Sequence, residues 1–333
     1  MHLFIDTNIY LAFYHFSSDD LEELKKLLVL LGNKSLTLYT TQQVVDEYER
    51  NRENKIADAL GRFREVKLSH QYPQLCQGYE EYQALRDLQK QFEKMHSSLV
   101  DKVQADIGAR TLKADELLRA LLGKATVLPR TSKILLAAKE RSSLGNPPGK
   151  DDSLGDAINW ELLLEHVPAA TDLYFVSDDR DWVSALNEYE LKHFLAQEWR
   201  SNKDSSIHYY RRLAGFFKEK FPQIKLASEL EKEFAIRRLA KSSTFTATHT
   251  AVAKLAELAE FTSVQANEIV AAVLSNNQVG WIATDDDVHE FLEKIVEKHF
   301  TQFDPVDLEA LKKLMNPPKP EPIADDSDED IPF

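Results

Sequence analysis

The chain has 333 residues, 43% of them hydrophobic, with one cysteine and a formal net charge of −14. A single thiol, Cys76, excludes an intramolecular disulfide and a cysteine-rich zinc site and agrees with a cytoplasmic setting. No apolar run approaches the roughly 20 residues that cross a bilayer, so a soluble chain with no membrane partner is expected.

Residues 2–6 read as a buried strand that starts almost at the first residue, which leaves no room for a signal peptide. Residues 19–31 read as an amphipathic helix, with Asp19 and Glu22 in capping-box spacing. A second short strand over 36–39 leads into Thr40-Thr41, which caps a helix that carries Glu47. Strand, helix, strand, helix is the order of a parallel α/β sheet, whose ligands sit at the carboxyl ends of the strands.

Between residues 56 and 144 the periodicity is helical, as in Tyr82, Leu85, Leu88, Phe92, Met95, Leu99 and Val103. A helical insertion over 55–145 is expected, closed by Gly145-Asn146-Pro147-Pro148-Gly149. The α/β pattern then resumes. Ser153-Leu154-Gly155-Asp156 has the spacing of a capped helix, residues 172–177 read as a strand that runs into Asp178-Asp179-Arg180-Asp181, and residues 207–210 read as an edge strand. One α/β domain over 1–54 and 146–222 is therefore expected, followed by a helical domain over 223–315. Residues 316–333 are rich in proline and hold Glu321, Asp325, Asp326, Asp328, Glu329 and Asp330 against Lys319 alone. This local charge of −5 leaves about −9 on the rest, and the segment is expected to be a disordered acidic tail.

Four acidic landmarks stand at strand ends or helix starts: Asp6, Glu47, Asp156 and the run at Asp178, Asp179 and Asp181. Singly, each has an ordinary explanation as a turn former, a surface acid or a cap. Jointly they call for more, because the residues beside them (Phe4-Ile5, Val44-Val45, Ile158, Phe175-Val176) are apolar. Several carboxylates buried together without a cation would raise one another's pKa and destabilise the fold. A divalent cation removes that objection and can drive phosphodiester hydrolysis without a nucleophilic side chain.

These segments resemble the four acidic motifs of the PIN-domain nucleases, in a bacterial branch with a large helical insertion. The resemblance covers about residues 1–54 and 146–222. It implies a PIN-like parallel sheet flanked by helices and a nuclease that uses Mg²⁺ or Mn²⁺, with Asp6, Glu47 and Asp156 as metal ligands and Asp179 favoured as the fourth acid. Asp178 and Asp181 each fit some version of the motif, and Asp181 also suits a cap for a following helix. Thr7, Asn8 and Ser177 would orient carboxylates or water, and Asp152 in the preceding loop could reach the cation. In-line attack by water would leave a 5′-phosphate and a 3′-hydroxyl. RNA is the favoured nucleic-acid substrate, with single-stranded or flap DNA as the alternative and a non-cleaving adaptor as a different class. The oligomeric state stays open.

Lys150 and Arg180 are candidates for phosphate neutralisation, and the basic stretch holding Arg211, Arg212, Arg237 and Arg238 could track phosphates. The same stretch reads equally as a solvated helix face, since Glu219, Glu229, Glu231 and Glu233 are interspersed. The acidic terminus ending Asp330-Ile331-Pro332-Phe333 is similar to the tip of bacterial single-stranded DNA-binding proteins. That likeness implies proteins that bind such tips as partners, or a fold-back onto the basic stretch. A nuclease joined to such a tail would suit a toxin or antiphage, antiviral-defence effector. No histidine pair has zinc-ligand spacing and no Walker loop is present; Asp285 to Asp287 read as a helix cap.

Overall fold

The computed structural model describes residues 1–14, 21–68, 72–149, 153–258 and 260–317. The chain divides into two compact units, Met1–Ala227 and Ser228–Phe333.

The first unit is built on a five-stranded, all-parallel sheet in the order β3-β2-β1-β4-β5. In chain order its elements are β1 (His2–Ile5), α1 (Thr7–Ala12), α2 (Leu21–Gly32), β2 (Thr37–Thr41), α3 (Gln42–Arg64), α4 (Glu80–Ala109), α5 (Lys113–Lys124), β3 (Thr126–Leu128), α6 (Ser132–Ser143), α7 (Gly155–His166), β4 (Leu173–Val176), α8 (His193–Lys203), β5 (Ile207–Tyr210) and α9 (Leu213–Lys220). Strand β1 is the middle strand, and Leu3, Phe4 and Ile5 are wholly buried, as a strand covered on both faces requires. The chain leaves β1 towards β2 and later returns to its other side as β4. The strand order therefore reverses between β1 and β4, and a crevice opens there at their carboxyl ends.

The segment read as wholly helical over 55–145 also supplies a strand, since β3 pairs with β2 at the sheet edge. Its three residues are too few to show an alternating pattern, and two of them, Thr126 and Val127, are exposed. Helix α3 also runs unbroken through residue 55.

Two local devices fix the elements around the crevice. Thr41 caps α3 by accepting from the Val44 N–H at 3.0 Å, and its hydroxyl donates to Asn159 Oδ1 on α7 at 2.5 Å. Behind the loop after β4, Trp182 is wholly buried against Phe175 and Trp160, with ring centroids 4.6 Å and 6.1 Å away. That anchor fixes the acidic run that precedes it.

The second unit is helical: α10 (Ala227–Ala240), α11 (Phe245–Glu257), α12 (Ser263–Ser275), α13 (Asn277–Trp281), α14 (Asp286–His299) and α15 (Pro305–Met315). Its own core includes Leu239, Val252, Ile269, Val273, Phe291 and Leu311. Asp285 is the N-cap of α14 by position, but its side chain makes no cap bond. Asp285 and Asp287 instead flank His249, at 3.3 Å and 2.8 Å.

Candidate active site

Asp6 follows β1 directly and starts α1. Its carboxylate accepts from the Thr7 N–H at 2.7 Å, Asn8 Nδ2 at 2.9 Å and Ser177 Oγ at 2.6 Å. Asn8 Nδ2 also donates to Ser177 Oγ at 3.1 Å, and Asn8 Oδ1 accepts from the Asp178 N–H at 3.2 Å. Thr7, Asn8 and Ser177 thus tie the ends of β1 and β4 together around one carboxylate.

Glu47 reaches the same cleft from α3. It accepts from Thr7 Oγ1 at 3.0 Å and Gln43 Nε2 at 2.6 Å. Gln43 is held in turn by Arg130, which also pairs with Asp46 at 2.6 Å. Arg130 follows β3, so the unexpected strand helps to orient a carboxylate on a different element. Gly155 makes room for this arrangement, because a Cβ there would lie 2.4 Å from Glu47 Oε1. The glycine is needed for close approach, not for an unusual backbone angle.

Asp156 stands in the first turn of α7. The capping box read at Ser153 does not form: Leu154 is the N-cap and makes no side-chain cap bond. Asp156 instead converges with Asp179 and Asp181, each offering one oxygen within 4.8 Å of the others. Asp181 does not cap a helix, because none follows until His193; its N–H donates to Asp179 Oδ1 at 3.0 Å. Asp178 is exposed and points to Arg211, which bonds it at 2.8 Å and Glu188 at 2.7 Å. Arg180 is exposed and lines that separate cleft with Asp178 and Arg211.

Asp6, Glu47, Asp156 and Asp179 line one cleft of about 570 Å³, together with Thr7, Asn8, Leu11, Ala12, Asn51, Lys55, Asp58 and Arg62. Burial pushes Asp6 up to about 6; bonds from Ser177 and Thr7 oppose the rise, and repulsion from Glu47 and Asp179 adds to it. Burial likewise pushes Asp156 up to about 8, reinforced by Asp6, Asp179, Glu47 and Asp181. Among the described residues no lysine or arginine pairs with Asp6, Glu47 or Asp156. A compact set of carboxylate oxygens, of which those of Asp6, Glu47 and Asp156 have no paired lysine or arginine among the described residues, suits a hard divalent cation such as Mg²⁺ or Mn²⁺.

Lys150, Asp152 and the tip residues Asp330, Ile331, Pro332 and Phe333 lie outside the described residues. Arg211 and Arg212 belong to the first unit and Arg237 and Arg238 to the second; Arg237 pairs with Glu233. Sequence reading missed Gln43, Arg130 and the role of Gly155. It also missed Asn51, Lys55, Asp58 and Arg62, although spacings of four, four, three and four from Glu47 mark one helix face.

Comparison with protein families matches residues 3–182 to the family described as PIN domain. No curated protein and no solved structure matches the chain.

Proposed function

The chain belongs to the PIN-domain family, whose members are generally metal-dependent nucleases, and from that premise we propose that it is an endoribonuclease that uses Mg²⁺ or Mn²⁺. The observation that carries the reading is the meeting of Asp6, Glu47, Asp156 and Asp179 in one cleft, with Asp181 beside Asp156 and Asp179. A divalent cation held there supplies neutralisation of the scissile phosphate and a more acidic attacking water. Asp6, Glu47, Asp156 and Asp179 are the proposed ligands, with Asp181 able to replace or support Asp179. Thr7, Asn8 and Ser177 hold Asp6 in one rotamer, while Gln43 and Arg130 do the same for Glu47. That preorganisation lets the site accept a cation without first reorienting its ligands.

The test incubates the full chain with separate RNA and single-stranded DNA pools, with Mg²⁺, Mn²⁺ or EDTA, and maps the product ends. Metal-dependent RNA products with 5′-phosphate and 3′-hydroxyl ends are expected. Cleavage confined to DNA would replace the substrate, and cleavage that persists in EDTA would overturn the metal site. A role in toxicity or antiviral defence rests on the joined architecture alone; loss of growth on expression, reversed by Asp6→Asn, is its test. Recruitment of tip-binding proteins through Phe333 rests on sequence alone, and a tip peptide lacking Phe333 should lose such binding.

A further inference from the structure

Building on the nuclease reading, we propose that one face of α3 is a phosphate track that carries a single nucleic-acid strand away from the carboxylate centre. Glu47, Asn51, Lys55, Asp58 and Arg62 all line the cleft that holds Asp6 and Asp156. Their spacing keeps them within one stripe of a helix with 3.6 residues per turn. From Glu47 to Arg62 the stripe runs about 22 Å at 1.5 Å per residue, long enough to pass several phosphates of an extended strand.

The cations of this stripe differ from their neighbours. Arg52, on the adjacent face of α3, is buried and paired with Asp115; Arg64 donates to Gln104 at 2.6 Å; Arg110 pairs with Glu49 at 2.8 Å, and Arg130 with Asp46. Lys55 and Arg62 are exposed and, among the described residues, their side chains make no ion pair or hydrogen bond. Lys55 and Arg62 are thus available for an external anion within the cleft, whereas Arg50, equally exposed, lies outside it. Asn51 adds an amide that can donate to a phosphate oxygen between Glu47 and Lys55. Asp58, between the two cations, opposes a strand in the groove and serves as an internal probe of the sign of the effect.

The ligand chemistry is a phosphodiester backbone, which RNA and single-stranded DNA share, and the experiment separates the two. Full-length protein carrying Asp6→Asn, which prevents cutting, is titrated with fluorescent single-stranded RNA and DNA oligonucleotides across a range of salt. Lys55→Ala with Arg62→Ala should weaken binding at least about tenfold and flatten the salt slope by about 1.4, the value for two lost single-strand phosphate contacts. Asp58→Asn should tighten binding, and Arg50→Ala, on α3 outside the groove, should change neither affinity nor slope. In the cleaving protein the double variant should raise KM with little change in kcat, because it removes binding without touching the reacting centre. Tighter binding to RNA than to DNA would identify RNA as the strand the track carries, and the reverse would identify DNA. An unchanged affinity and slope in the double variant would overturn the track while leaving the carboxylate centre and the nuclease reading intact. Binding that responds as expected in a protein that cuts nothing would keep the track and remove the nuclease reading, and a protein that binds neither strand would remove the track.

Discussion

Asp115 and the cleft carboxylates both neighbour α3, and their environments are opposite. Asp115 on α5 is buried, and Arg52 on α3 bonds both its oxygens, with Nε at 2.7 Å. The Tyr14 hydroxyl also donates to Asp115. Although burial alone would raise it, bonds from Arg52 and Tyr14 hold Asp115 below the usual carboxylate range. Asp6 and Asp156 are raised chiefly by burial, and the charged groups beside them that add to the rise are other carboxylates where Asp115 has a guanidinium. Asp115 carries its cation in the sequence, whereas on the proposed nuclease reading the cleft acids leave that place for a cation from solution.

The most severe way to break this contrast is Asp115→Ala. It strands the buried Arg52 charge, and we expect a loss of about 3–5 kcal/mol of stability by denaturant unfolding of the first unit. An unaltered unfolding midpoint would mean that the pair contributes nothing. Asp6→Asn or Asp156→Asn should do the reverse, lowering cleavage by more than the roughly 10–100-fold typical of a supporting residue while the metal-free fold keeps or gains stability. Cleavage rates and melting curves on the same preparations check both halves.

Metal should act in the same sense as those neutral variants. At a Mg²⁺ concentration about 100 times its dissociation constant, binding adds about 2.7 kcal/mol to the native state. The effect depends on pH. An acid whose folded pKa lies above its unfolded value of about 3.9 holds its proton more tightly when folded. The metal-free protein should therefore lose stability as pH rises from about 4 through the values of about 6 for Asp6 and about 8 for Asp156. Asp115 has the opposite sign: its stabilisation is present above about 3.9 and is lost as pH falls through its lowered value. Melting temperatures with EDTA and with Mg²⁺ across pH 5 to pH 9 read this directly, and the gap between the two curves should widen with pH. The smallest expected effect is that of Gly155→Ala, whose Cβ meets the Glu47 carboxylate; about tenfold weaker Mg²⁺ affinity, with cleavage rescued at high Mg²⁺, is the expected result.

Much of the candidate site's geometry was legible because its acids sit at local landmarks. Asp6 ends a run of buried apolar residues, Glu47 follows a threonine cap, and Asp156 opens a helix. The sequence could not tell Asp178, Asp179 and Asp181 apart, since one residue of backbone rotation sends a carboxylate to a different side. Trp182 burial and the Asn8 and Ser177 bonds decide it, turning Asp178 towards Arg211 and Asp179 and Asp181 towards Asp156.

By itself the sequence determined the parallel α/β layer, the helical second unit, the cap at Thr41 and the acids at the strand ends, because periodicity and capping act over a few neighbouring residues. Tertiary structure alone decided that Thr126–Leu128 joins the sheet, that Arg130 orients Gln43 beside Glu47, that Gly155 clears space for that carboxylate, and that Arg52 is spent on Asp115 while Lys55 and Arg62 face the cleft. Each of these is a meeting of residues far apart in the chain, and such meetings are set by the packing of whole elements, which no local pattern encodes.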